Sequence, residues 1–155
     1  MHAGDVTTLA EARNFLYVLD PGGFASRAAY LAALANTNYD LLIIDLFHDE
    51  AALTPQELAQ LKTKSNGGTR LVLCYMSIGE AESYRYYWRS AWRPGDPAWL
   101  RTQNPDWPGN YKVRYWDPEW QSIIYGGPDA YLDRILAVGF DGVYLDIIDA
   151  YEYFE

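Results

Sequence analysis

Two aspartates near the end of the chain are the strongest candidates for catalytic chemistry. Asp146 lies at the end of the apolar run "DGVYLDII", and Asp149 follows it closely. An earlier apolar run, "DLLIIDLF", carries Asp45 in a similar position. Carboxyl groups that converge at strand ends can act as proton donor and as nucleophile or base, the pair that glycoside hydrolysis requires. For each aspartate the alternative is a structural role, as a helix N-cap or in a loop ion pair.

Further carboxylates follow the other apolar runs. Glu80 and Glu82 lie in "SIGEAE", where Gly79 permits a tight backbone path. The pattern predicts that both glutamates begin a helix, where negative charge is favourable, and that Glu82 pairs with Arg85. Asp20 lies just before a Pro-Gly-Gly turn, and its side chain is expected to have a structural role in that loop.

The aromatic residues are concentrated in one segment. All six tryptophans lie between Trp88 and Trp120. Aromatic faces stack on sugar rings and attract cations, but such a segment can also form its own small core. We expect most of these rings to pack against each other and one or two, with Trp116 as the candidate, to contact a ligand.

Strands and helices alternate along the chain. The apolar runs predict strands at residues 15–20, 40–47, 69–78, 111–116 and 141–148. Helices are predicted at residues 26–37, 54–64, 81–88 and, in two pieces broken at 126–128, 117–139. Ser26 and Thr54 are predicted N-caps, and Glu57 completes a capping box with Thr54.

This alternation without hairpins predicts an α/β fold with a parallel sheet, either an open doubly wound sheet or part of a TIM (β/α)8 barrel. Two features favour the barrel: the first turn has no glycine-rich phosphate loop, and polar side chains recur at the strand ends, where barrels build their active sites. Side-chain alternation then directs Tyr144 and Asp146, and likewise Ile43 and Asp45, into the barrel.

Composition excludes some classes of partner. The formal net charge is -9 and the sequence pI is about 4.6. Nucleic-acid binding requires clustered lysine and arginine, so DNA and RNA are not expected as partners. An acidic surface instead suits a neutral or cationic ligand.

Cysteine and histidine indicate no cofactor chemistry. Cys74 is expected to be a small buried residue, and His2 and His48 do not form a zinc site. A carboxylate site for a hard cation stays open, but no calcium-loop pattern is present. The chain shows neither a signal peptide nor an apolar run long enough to span a membrane.

Three motifs, "YMSIGEAESYRYYW", "NPDWPGNYKVRYWDPEW" and "GFDGVYLDIIDAYEYF", resemble the endo-α-1,4-polygalactosaminidases, glycoside hydrolase family 114. The resemblance implies a TIM barrel, an extracellular location and hydrolysis of an α-1,4-linked galactosamine polymer, a cationic substrate that suits the acidic chain. It implies that Asp146, in the YLDxxD motif, is one catalytic carboxylate and that its glutamate partner lies on a strand beyond Glu155. The residues expected to line the substrate cleft are Asp45, Glu80, Tyr144, Asp149 and Trp116.

Length adds an expectation about completeness. Such a barrel needs roughly 200 residues or more, so we expect residues 1–155 to be a partial domain, with about five βα units after an N-terminal tail at 1–14 and the C-terminal strands missing. Unpaired strand edges would favour self-association. The alternatives are a non-catalytic carbohydrate-binding barrel fragment and a doubly wound domain of other function.

Overall fold

The computed structural model describes residues 4–155, so His2 lies outside the described part of the chain. The chain folds as two compact units, residues 1–75 with 135–144 and residues 76–134 with 145–155. The strands are β1 (Phe15–Val18), β2 (Leu41–Ile44), β3 (Phe47–His48), β4 (Ala51–Ala52), β5 (Leu71–Ser77), β6 (Glu80–Glu82), β7 (Leu100–Gln103), β8 (Asn110–Val113) and β9 (Gly142–Asp146). The helices are α1 (Arg27–Ala35), α2 (Pro55–Leu61), α3 (Pro118–Ile124) and α4 (Tyr131–Val138), with 3-10 turns at Leu9–Glu11 and Ala150–Tyr153.

A parallel sheet of four strands, in the order β1-β2-β5-β9, organises the first unit. Its apolar strands are buried as expected of a parallel sheet: Leu42, Ile44 and Val72 are fully inaccessible. The strand order follows the chain order. In a doubly wound sheet the spatial order of the strands reverses at a switch point. The four described strands show no such reversal, which favours the barrel type.

The sheet is strongly curled. Three strand spacings separate the edge strands β1 and β9, which is about 14 Å in a flat sheet. The rings of Tyr17 on β1 and Tyr144 on β9 nevertheless lie only 5.5 Å apart, centroid to centroid. The two edges therefore bend toward each other, and tyrosines from both meet on the concave face.

A short hairpin follows β2 and corrects the predicted topology. The strand predicted at 40–47 ends at Ile44, and β3 pairs with β4 in antiparallel fashion. Asp45 accepts a hydrogen bond from the Phe47 N–H at 2.8 Å, and Asp49 and Glu50 both have positive φ. These local turn contacts end the strand, so the expectation that the chain has no hairpins was wrong.

The predicted N-caps of the first two helices are confirmed. The Ser26 hydroxyl accepts a hydrogen bond from Ala29 N–H at the start of α1. Thr54 and Glu57 form a reciprocal capping box at the start of α2, with Pro55 in its first turn. Glu57 also accepts two hydrogen bonds from the Arg27 guanidinium, at 2.8 and 2.6 Å.

The Arg27–Glu57 pair makes stability depend on pH. The hydrogen bond from Arg27 lowers the pKa of Glu57 from 4.5 to about 2. A lowered carboxyl pKa contributes stability above pH 4.5 that is lost as pH falls toward 2. Because both side chains are about a quarter exposed, the contribution is expected to be of the order of 1 kcal/mol.

Glu57→Gln, which keeps the cap, should flatten the dependence of melting temperature on pH between 5 and 2. If the melting temperature of the variant fell with pH as steeply as that of the natural protein, the role of the Arg27–Glu57 pair would be contradicted.

The described part of the predicted N-terminal tail is attached to the first unit. Val6 is buried, and its N–H donates to the carbonyl of Thr69 at 3.1 Å. The ammonium of Lys64 donates to the Gly4 carbonyl at 2.9 Å and to the Asp40 carboxylate at 2.6 Å. Both members of this Lys64–Asp40 pair have fully buried side chains.

The second unit contains an antiparallel sheet in the order β6-β8-β7. The predicted fourth parallel strand at 111–116 was wrong, because β8 ends at Val113 and pairs in antiparallel register with both neighbours. The helix predicted at 81–88 was also wrong. Glu80–Glu82 form a strand instead, since their backbone pairs with β8. The parallel sheet thus has four strands and not five.

A core of aromatic rings fills the second unit, as predicted. Successive rings of Trp88, Trp92, Trp99 and Trp120 contact one another with centroids 5.4, 4.9 and 5.1 Å apart. Trp99 and Trp120 are buried, and the Trp120 indole N–H donates to the Ile78 carbonyl. The two-piece helix is confirmed as α3 and α4. No helix of the described chain is long and apolar enough to cross a membrane.

Candidate active site

Asp146 is the last residue of β9, at the carboxyl end of a parallel strand. Its carbonyl accepts a hydrogen bond from the Ile78 N–H at 3.1 Å, which ties it to the end of β5. The next residue, Ile147, has φ of +56°. A β-branched residue rarely adopts this left-handed conformation, so the alternation predicted through Ile148 breaks here. The strained turn directs the chain away from the sheet immediately after the carboxylate.

Gly79 lies directly against this turn. A Cβ atom on Gly79 would overlap the carbonyl oxygen of Ile147 and would lie 2.5 Å from the Ala150 Cβ. Backbone atoms cannot move aside as a flexible side chain can. Gly79 therefore permits the close approach of the two backbone segments.

Substituting Gly79 tests that approach. We expect Gly79→Ala to destabilise the protein by about 1–3 kcal/mol, because the added methyl group overpacks a site bounded by backbone. Chemical denaturation measures the change. Gly23→Ala is the matched control, since a Cβ there would meet no atom within 4 Å. Equal effects of the two substitutions would contradict the account.

A cavity of about 320 Å³ lies within the second unit, beside Gly79. This volume falls at the lower end of the range for small-molecule sites. It brings together two of the predicted site residues, Glu80 and Asp149. The residues that line it are Gly79, Glu80, Asn104, Lys112, Ile147, Asp149, Ala150, Glu152, Tyr153 and Phe154.

Glu80 is a buried carboxylate held by amides. Glu80 is only 2% exposed to solvent. One carboxylate oxygen accepts from the Asn104 amide at 2.8 Å, and the other accepts from the Asn110 amide at 3.3 Å. Within residues 4–155 no lysine or arginine forms an ion pair with Glu80. The expected position at a helix start was wrong, because the pairing of β6 with β8 sets the place of this carboxylate.

Lys112 and Tyr153 form a cation–π contact in the same cavity. The Lys112 ammonium lies 4.0 Å from the centroid of the Tyr153 ring. The Tyr153 and Thr102 hydroxyls share a hydrogen bond of 3.1 Å. That hydrogen bond, assisted by the positive charges of Arg101 and Lys112, lowers the pKa of Tyr153. The phenol ring is thus held from its hydroxyl end and from its face.

A model of glycoside-hydrolase family GH114 matches residues 3–155. The chain belongs to this glycoside hydrolase family. A protein of Deinococcus radiodurans is 47% identical over 122 residues, which are 79% of this chain and 37% of that protein. A protein of Methanocaldococcus jannaschii is 37% identical over 98% of this chain and 42% of its own length. This GH114 chain therefore spans less than half the length of these relatives.

Solved structures share the fold of this GH114 chain. The glycoside hydrolase domain of PelA from Pseudomonas aeruginosa superposes with a TM-score of 0.51 at 21% identity, over 90% of this chain and 45% of that one. A variant of the same domain superposes with a TM-score of 0.52. The α/β fold with its parallel sheet is thus that of a glycoside hydrolase domain.

The other predicted site residues of this GH114 chain lie elsewhere. Asp45 holds the turn after β2, and Tyr144 contacts Tyr17, both in the first unit. Trp116 is 48% exposed and stacks edge-on against Phe154, which lines the cavity. Asp20 accepts from the Gly22 N–H in its loop, as expected.

Glu82 has the structural role that the sequence predicted. Its carboxylate accepts from the Arg85 guanidinium at 2.7 Å, and both side chains are buried. The Tyr84 hydroxyl donates to the same carboxylate at 2.6 Å. Glu80 and Glu82 are thus close in sequence but differ in their partners, because only Glu82 is neutralised by a cation.

Sequence reasoning missed four residues around Glu80: Asn104, Asn110, Lys112 and Tyr153. The two asparagines begin and end the stretch "NPDWPGN", which belongs to one of the motifs of the family resemblance but was not expected to supply site residues. The alternation of β8 places Lys112 opposite Glu80, but this signal was hidden by the assignment of residues 81–88 to a helix. Among the described residues no group of three or more histidine, cysteine, aspartate or glutamate side chains is arranged to hold a metal ion.

Proposed function

We propose that this chain forms the N-terminal part of a TIM-barrel glycoside hydrolase that cleaves an α-1,4-linked galactosamine polysaccharide. The observation that carries the proposal is the position of Asp146, at the carboxyl end of a parallel strand in a chain of the GH114 family. Barrel enzymes place their catalytic groups at this end of their strands. Asp146 would supply one of the two carboxyl groups that the reaction needs.

The second carboxyl group determines the stereochemical outcome. A separation of about 5–5.5 Å suits a retaining mechanism with a covalent intermediate, and about 6.5–9.5 Å suits an inverting one with an intervening water. The family resemblance assigns this partner to a glutamate on a later strand. In this mechanism Asp146 acts on the anomeric centre or its attacking water, while the partner exchanges a proton with the glycosidic oxygen.

The concave face of the sheet supports the barrel assignment. Its edge strands β1 and β9 carry exposed aromatic side chains, with Phe15 62%, Tyr17 43% and Tyr144 41% exposed. Further strands of the same domain would cover these rings and pair with both edges. Where they are missing, bare edges of this kind favour association with a second copy.

Charge supports a cationic polysaccharide as substrate. Deacetylated galactosamine carries one ammonium per sugar, and the chain carries a formal net charge of -9. The attraction raises the local substrate concentration and weakens as salt increases. An extracellular location, which the family resemblance implies, is part of this proposal.

Cleavage of defined polymers tests the proposal. The protein that carries residues 1–155 together with the later strand of the partner glutamate is incubated with partly deacetylated α-1,4-galactosamine polymer and, separately, with β-1,4-glucosamine polymer of the same length and charge density. We expect oligomers from the first polymer alone. Cleavage of both would overturn the linkage assignment, and binding without any cleavage would favour the non-catalytic carbohydrate-binding alternative.

A further inference from the structure

The cavity beside Gly79 has an internal cation bound to an aromatic ring. The Lys112 ammonium lies over the face of Tyr153 at 4.0 Å from its centroid. A ring face at this distance attracts any alkyl-ammonium group, whether it belongs to the protein or to a ligand. In the free protein the Lys112 ammonium therefore occupies a position on the Tyr153 ring face that an ammonium group of a ligand could also occupy.

The lining of the cavity favours a second cation. It includes three carboxylates, from Glu80, Asp149 and Glu152, and one lysine. Glu80 is the least solvated of them, and its carboxylate accepts hydrogen bonds from the neutral amides of Asn104 and Asn110. A buried carboxylate without a cation partner gains more from an incoming ammonium than a hydrated one does.

Lys112 is also able to leave the ring. Its long flexible side chain carries a compact charge, so it can move to solvent without disturbing β8. It lies opposite Glu80 in the β6–β8 pairing. The Tyr153 ring remains oriented by its hydrogen bond with Thr102.

We propose that this cavity is a subsite for the ammonium group of an amino sugar, and that Lys112 occupies the Tyr153 face until the ligand displaces it. Glu80 accepts hydrogen bonds from the ligand ammonium, while Tyr153 and Phe154 offer aromatic surface to the sugar ring. The choice of an amino sugar rests on the proposed function, whereas the preference for a primary ammonium rests on the cavity itself. Lys112 thus lowers the affinity of the cavity for the ligand, because its ammonium competes with the ligand ammonium for the Tyr153 ring face.

Nuclear magnetic resonance observes this displacement directly. The Tyr153 ring current should shift the Lys112 ε-methylene protons upfield in the free protein. Addition of galactosamine should move them toward the ordinary lysine position, and equal concentrations of galactose should not. Lys112 resonances that stay unchanged while galactosamine binds would overturn the displacement.

Variants separate the roles of the two side chains. Lys112→Met keeps most of the stem and removes the charge, so galactosamine should bind about 2- to 5-fold more tightly, the range expected for an exposed cation–π contact. Lys112→Arg keeps the cation and should bind as the natural protein does. Glu80→Gln should weaken binding at least 10-fold, and the exposed Glu119→Gln is its matched control. An unchanged or weaker affinity of Lys112→Met would overturn the competition.

The outcomes distinguish the subsite from the hydrolase. Galactosamine binding that depends on Glu80, in a protein that cleaves no polymer, would retain the subsite and reject the proposed reaction. Polymer cleavage in a protein that binds galactosamine no better than galactose would reject the subsite alone. Circular dichroism of Glu80→Gln confirms that it is folded, and the Lys112 variants test the subsite independently of it.

Discussion

Replacing Asp146 with asparagine is expected to lower the rate of polysaccharide cleavage by about 10²- to 10⁴-fold. Asparagine matches aspartate in shape but can neither take up a proton nor attack as an anion. The backbone carbonyl of this residue accepts a hydrogen bond from the Ile78 N–H, and the substitution leaves that hydrogen bond in place. Rate should therefore fall while the fold and the affinity for substrate are retained.

The matched control is Asp129→Asn. The Asp129 side chain is 92% exposed and its carboxylate forms a surface ion pair with Arg134, so its substitution should leave the cleavage rate unchanged. Release of reducing ends gives the rate, and the melting temperature reports the fold of both variants. An Asp146→Asn protein that retains half of its activity would remove this residue from the catalytic pair.

Replacing Lys64 with methionine is expected to destabilise the protein by about 3–5 kcal/mol. The Lys64 ammonium and the Asp40 carboxylate are both fully buried, 2.6 Å apart. Without the lysine, Asp40 keeps the hydrogen bond from the Arg13 N–H at 3.0 Å but loses the ion pair with the Lys64 ammonium. Burying the Asp40 carboxylate without this ion pair costs free energy of folding. That cost is larger than the net amount by which the intact ion pair stabilises the protein.

Two further variants test that distinction. The double variant Lys64→Met with Asp40→Asn removes both charges and should recover part of the lost stability. Arg93→Met breaks the exposed Arg93–Asp96 pair, whose side chains are 70% and 65% exposed, and should cost less than about 1 kcal/mol. Urea denaturation measures all three. Similar values for Lys64→Met and Arg93→Met would contradict the role of burial.

Local signals predicted much of the first unit. The caps at Ser26 and Thr54 depend on neighbours within three residues, and the apolar runs depend on burial within single strands. Both kinds of signal are contained in short segments. The Tyr17–Tyr144 contact is different, because it joins residues far apart in sequence and depends on how strongly the sheet curls.

The second unit was less predictable for the same reason. The stretch after Gly79 combines charged and aromatic residues at spacings that suit a helix, yet Glu80–Glu82 pair with β8, about thirty residues later. That pairing buries Glu80, selects its amide partners and places Lys112 opposite it. Asp146 could be singled out from its position at a strand end, whereas the cavity could not, because its residues come from segments that no local pattern connects.

The aromatic core of the second unit gives that unit an optical signal of its own. All six tryptophans belong to residues 76–134, and residues 1–75 and 135–144 contain none. Edge-to-face indole pairs about 5 Å apart, such as Trp92 with Trp99, hold these rings in a packed environment in which the emission of tryptophan depends on the fold of the second unit. Tryptophan emission therefore reports the second unit alone, while tyrosine absorbance and far-ultraviolet dichroism include the first. Coincident unfolding curves from the two probes mean that the halves melt together, and separate curves give each half its own stability.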